Sequence, residues 1–155
     1  MLSEHREWFN NFLENLSKGF DGNVLDIGKS TEWDYSRLFK DYKTIDVLPK
    51  IQPDIVGDFC EYPFDEYFDL ILCIGIFEQF RGSGTFEKMI NKIKGLLAKD
   101  GIAIFGCPGK DFPCRNQVDS GKRTNLNELT KLLSGFKIVS FKTFDEIYYF
   151  LICKL

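Results

Sequence analysis

The chain has one histidine, His5, and no CxxC pair among its five cysteines, so a zinc site built from Cys and His is not expected. It also lacks an excess of positive charge. The formal net charge is −3 and the pI about 5.2, which argues against a primary partner among nucleic acids, whose phosphates call for a basic face. No apolar run approaches the ~20 residues of a membrane span, so no membrane partner is expected. Charges at Glu4, Arg6 and Glu7 stand where a signal peptide carries its apolar core. The odd cysteine count, with Cys73, Cys107 and Cys153 inside strand-like runs, favours free thiols in a reducing compartment, and the chain is read as cytoplasmic. Repeats and low-complexity linkers are lacking too. Residues 1–155 are therefore expected to form a single domain.

What is present is apolar and aromatic. Sixteen Phe and six Tyr can fill a core quickly and can line a pocket for a flat ligand. Trp8, Phe9, Phe12, Leu13 and Leu16 recur at helical spacing, with Ser3 available as N-cap and Gly19 as a stop. Short strands are expected at 23–27, 44–47 and 54–58, with a short helix over 31–42. The run Phe68 to Gly75 is almost wholly apolar after Asp69 and does not alternate, which marks a central parallel strand buried on both faces. Phe86, Met89, Ile90, Ile93, Leu96 and Leu97 make one helical stripe, closed by Asp100-Gly101. A strand follows at 102–105, then a polar loop over 110–123. Asn125 to Glu128 reads as a capping box for a helix carrying Leu126, Leu129, Leu132 and Leu133 up to Gly135.

Two last strands, near 136–143 and 147–154, turn at Asp145. The link is too short for a parallel crossover, so they must pair antiparallel. The expected fold is a doubly wound, mostly parallel, Rossmann-like α/β sheet of about seven strands with a C-terminal antiparallel hairpin.

Four pieces fall at strand ends, where open α/β sheets bind ligands. Gly28 follows the first strand, permits a tight turn against a ligand, and has the Asp26 carboxylate and Ser30 beside it. Asp46 ends the second strand 18 residues beyond Gly28, and an acid about 20 residues after such a turn is placed to accept from ribose hydroxyls. Gly57-Asp58-Phe59 offers a carboxylate and an aromatic face. Cys73-Ile74-Gly75-Ile76-Phe77-Glu78-Gln79-Phe80 leads out of the central strand.

In order and spacing these pieces resemble the class I S-adenosylmethionine-dependent methyltransferases, especially the small type 11 group. The resemblance runs from about Asn23 to the final hairpin. It implies S-adenosylmethionine as cofactor and methyl transfer to a small-molecule acceptor. Asp26 and Gly28 would lie against its methionine and ribose portion, with Ser30 where the family has a second glycine. Asp46 would hold the ribose hydroxyls and Asp58 the adenine amino group. Phe59 would lie against the adenine ring, and Cys73 and Ile74 would line the pocket floor. The Glu-His pair of the family reads Glu78-Gln79 here.

Asp111, Glu78 and His5 are the candidate bases if the acceptor needs one. His5 is either a solvated surface histidine or, if the N-terminal helix over residues 1–19 covers the pocket, a group that reaches the acceptor. The loop residues Lys110, Arg115, Lys122 and Arg123 are either solvated or meet an anionic acceptor. A noncatalytic binding protein on the same fold is the alternative function. A nicotinamide-binding domain predicts G-x-G-x-x-G, which the chain lacks.

Overall fold

Apolar residues at Phe9 and Leu13 fold the first segment onto the sheet as α1, Glu4–Ser17. The acidic residues Glu4 and Glu7 in its first turn suit the positive end of the helix dipole. The computed structural model describes residues 3–30, 34–76, 83–113, 124–145 and 147–155. Ser3 stands at the N-cap position, yet its hydroxyl makes no cap bond and lies 3.2 Å from His5 Nε2 instead. Gly19, at φ +80, ends the segment in a conformation that side chains disfavour.

The remaining elements are β1 (Asn23–Ile27), β2 (Asp41–Asp46), β3 (Ile55–Val56), β4 (Phe68–Ile74), α2 (Ser83–Leu96), β5 (Leu97–Pro108), α3 (Leu126–Leu132), β6 (Lys137–Phe144) and β7 (Tyr148–Lys154). They form one seven-stranded sheet in the order β3-β2-β1-β4-β5-β7-β6. β1 to β5 pair in parallel, and β7 runs antiparallel between β5 and β6. The expected central strand is central, with three strands on each side of β4.

The two faces of the sheet bury different residues. Val24, Leu70, Leu72, Ile104 and Phe150 pack under α1, where the Phe9 and Phe150 rings stack at 4.7 Å. Leu25, Ile71, Cys73, Phe105 and Leu151 pack with Met89 and Ile93 of α2 and Leu129 of α3. This split follows from strand geometry, which sends successive side chains to opposite faces.

Several local expectations shift. The described part of the segment expected as a helix over 31–42 holds one 3-10 turn, Ser36–Leu38, and β2 already begins at Asp41. The Asp34 carboxylate accepts from Ser36 N at 2.9 Å and fixes that tight turn, while Tyr42 is drawn into the sheet opposite Val24. α2 ends at Leu96, before the expected Asp100-Gly101 stop. Those two residues sit in an irregular stretch between the pairs Phe68↔Leu97 and Leu70↔Ile102, where Asp100 takes φ +64. Asn125 does cap α3, accepting from Glu128 N at 2.9 Å. The Glu128 carboxylate takes its bond from the Thr124 hydroxyl at 3.0 Å, and Leu132 is exposed while Leu129 and Leu133 are buried.

Candidate functional site

A cavity of about 770 Å³ runs along the carboxyl edge of the parallel strands. Clefts of this size suit small-molecule ligands. Asp26, Gly28, Ser30, Asp46, Asp58, Phe59 and Ile74 all reach it. Cys73 does not: it is fully buried on the α2 face, one residue out of phase with Ile74.

The strand ends are tied together by backbone bonds. Gly28 N donates to the Ile45 carbonyl at 2.8 Å, and Gly57 N to the Asp46 carbonyl at 2.9 Å. Asp54 holds β3 against β2, its carboxylate accepting from both the backbone N and the hydroxyl of Thr44 at 2.8 Å. The first three strands therefore present their ends as one edge.

Gly28 has φ +81, and a Cβ there would stand 2.0 Å from Ile76 Cδ1 and 4.0 Å from Asp46 Oδ2. The turn thus favours glycine chiefly for its backbone angle, since the Ile76 tip is the flexible end of a side chain. Asp46 accepts from Leu48 N at 2.8 Å through Oδ1, while its Oδ2 faces the Gly28 turn. Asp58 accepts from Cys60 N at 2.7 Å and is exposed. Phe59 beside it is buried, tilted against the Phe64 ring.

Asp26 differs from the other two carboxylates. It is only 6 % exposed and accepts a 2.5 Å bond from the Tyr42 hydroxyl. Burial raises its pKa to about 7; the Tyr42 bond works against that rise and the Asp34 carboxylate adds to it. The Tyr42 and Tyr35 hydroxyls are themselves pushed well above the usual phenol range, chiefly by burial.

The opposite end of the cavity is aromatic. Tyr148 opens β7 opposite Pro108, the last residue of β5. His5 of α1 stacks on the Tyr148 ring at 4.7 Å with 7° between planes, and Phe112 meets both rings edge-on. Ser3, His5 and Arg6 bring the start of α1 into the cavity wall. Of the candidate bases, His5 lines the cavity, Asp111 is exposed outside it, and Glu78 lies outside the described residues. Phe77, Gln79, Phe80, Arg115, Lys122 and Arg123 lie outside them as well. Tyr35, Phe112 and Tyr148 have no strand-end signal in the sequence, because only the folded topology brings them to this edge.

Among the described residues no group of three or more His, Cys, Asp or Glu side chains is placed to hold a metal ion, and no helix is long and apolar enough to cross a membrane. No protein-family model and no curated protein matches the chain. Solved structures do match its fold. The N-methyltransferase NodS from Bradyrhizobium japonicum WM9 is 19 % identical, with a TM-score of 0.73 over 95 % of this chain and 94 % of that one. An S-adenosylmethionine-dependent methyltransferase from Clostridium acetobutylicum ATCC 824 is 14 % identical, with a TM-score of 0.75 over 99 % and 92 %. A Burkholderia thailandensis 1,6-didemethyltoxoflavin-N1-methyltransferase, solved with its namesake ligand and S-adenosylhomocysteine, is 16 % identical, with a TM-score of 0.70 over 96 % and 80 %. This chain has the fold of the class I S-adenosylmethionine-dependent methyltransferases.

Proposed function

We propose that the protein is a methyltransferase that uses S-adenosylmethionine and acts on a small-molecule acceptor. The observation that carries this reading is the convergence of Asp26, Gly28, Asp46 and Asp58 on one cavity at the ends of β1, β2 and β3. The fold likeness supports it, since NodS and the Burkholderia enzyme are both methyltransferases whose structures hold S-adenosylhomocysteine.

The residues fit such a cofactor. The Gly28 turn, at φ +81, carries no side chain, as a close backbone approach requires. Asp46 would accept from the ribose hydroxyls and Asp58 from the adenine amino group, with Phe59 offering an apolar face beside it. Asp26 and Ser30 would face the methionine portion, and Ile74 the cavity floor. When bound, the cofactor supplies a methyl group already activated by a positively charged sulfur. The protein's work is then to hold donor and acceptor in line and exclude water, which needs no metal. Ser3 and, from α1, His5 and Arg6 contribute by walling the cavity.

Calorimetric titration with S-adenosylhomocysteine, S-adenosylmethionine and NAD tests the reading. Saturable binding of the first two and none of NAD is expected. Binding of NAD alone, or of none of the three, would overturn it.

A further inference from the structure

The cavity has two chemically distinct ends. From β3 to β1 its polar lining is the carboxylates of Asp26, Asp46 and Asp58, set among aliphatic side chains such as Ile45, Leu48 and Ile51. Beyond β4 it is lined by rings: His5 and Tyr148 stacked, and Phe112 edge-on to both. Sheet order separates the ends, because Asp58 follows β3 at one side of the sheet while Tyr148 opens β7 beyond β5. If the carboxylate end holds the cofactor, the aromatic end is left for the acceptor, so this inference rests on the cofactor reading above.

We propose that the aromatic end receives a planar aromatic acceptor carrying an acidic O–H or N–H, and that His5 takes the proton it loses. Ring faces and edges select a flat apolar body. The charged side chain that α1 adds to this end is Arg6, and a guanidinium disfavours an ammonium-bearing acceptor while favouring one that turns anionic. His5 is held by its stack on Tyr148 and by Ser3, whose Oγ lies 3.2 Å from Nε2, so the imidazole has a fixed orientation. The titratable and charged groups that line the same cavity are Arg6 on its own helix, Tyr148 on β7, Asp26 on β1, Lys29 and Tyr35 in the loop after β1, and Asp46 and Asp58 at the far end.

In the transfer, the acceptor oxygen or nitrogen gives its proton to the imidazole and gains the methyl carbon. The electron pair of that carbon's former bond stays on sulfur, which becomes a neutral thioether. The imidazolium then returns its proton to water. No oxidant or further reactant enters.

The test uses the full chain saturated with S-adenosylhomocysteine and three probes: 4-nitrophenol, cyclohexanol and benzylamine. Calorimetry should show 4-nitrophenol binding tighter than the other two by a factor on the order of ten. Phe112→Ala should erase most of that preference. Bound 4-nitrophenol should absorb as the phenolate at a pH where the free probe is largely protonated, and His5→Gln should lower that phenolate fraction. If S-adenosylhomocysteine does not bind, the cofactor reading fails and this one with it. If it binds but the probes are not discriminated, only the acceptor assignment falls. An unchanged phenolate fraction in His5→Gln would overturn the role of His5.

Discussion

The Tyr42 hydroxyl donates to Asp26 Oδ2 at 2.5 Å, joining β2 to β1 through a carboxyl that is 6 % exposed and lines the cavity. The bond satisfies one oxygen of an otherwise costly buried acid. Tyr42→Phe removes the donor and leaves the carboxyl in place. The unfolding free energy should fall by about 1–3 kcal/mol, the range for a lost bond to a buried polar group, read from urea unfolding near neutral pH. Unchanged stability would mean that water or another group takes over the bond.

The same carboxyl makes a pH-dependent contribution of defined sign. Its pKa rises from 3.8 to about 7 on folding. Below 3.8 both states hold the proton and there is no ionisation penalty. As pH climbs from there toward 7, the unfolded chain releases its proton first, so the folded state loses stability, by roughly 4 kcal/mol in all. Above that window the contribution is constant. Asp26→Asn keeps an acceptor for Tyr42 and cannot ionise. The stability difference between wild type and Asp26→Asn should therefore shift in favour of the variant as pH rises through the window. A difference that stays flat across it would mean that Asp26 is ionised throughout.

At Asp46 two roles can be separated. Its Oδ1 accepts from Leu48 N at 2.8 Å, while the proposed ribose contact needs a charged acceptor. Asp46→Asn preserves an oxygen for the Leu48 turn. It should keep the fold's stability while weakening S-adenosylhomocysteine binding by about 1–3 kcal/mol, as for hydrogen bonds involving a charged partner. Calorimetry that finds full affinity in a folded Asp46→Asn protein would remove Asp46 from the ribose site.

Gly28→Ala places a Cβ 2.0 Å from Ile76 Cδ1 at φ +81. The tip of Ile76 can swing away, but the backbone angle remains unfavourable for alanine, so a loss of ~1–3 kcal/mol in stability is expected. Adding Ile76→Ala should relieve the clash without restoring the wild-type value. Full recovery in the double variant, measured by urea unfolding, would show that crowding and not backbone angle makes glycine necessary.

The sequence by itself determined the sheet. An unbroken apolar run from Leu70 to Ile74 can be buried only in the middle, and a link of a few residues around Asp145 can join only antiparallel strands. It also placed Asp26, Gly28, Asp46 and Asp58, because a residue at the end of a parallel strand goes to the same edge as its neighbours' ends. It misjudged residues 34–42, where Asp34 fixes a tight turn and Tyr42 joins β2; a local apolar spacing does not reveal a partner 16 residues away on β1. It put Cys73 on the cavity floor, whereas the side-chain period of two turns that residue into the α2 core and leaves Ile74 at the cavity. The aromatic end of the site was settled by tertiary structure alone. His5, Phe112 and Tyr148 are far apart in the chain, and only the antiparallel return of β7 beside β5, with α1 folded over that corner, sets their rings together.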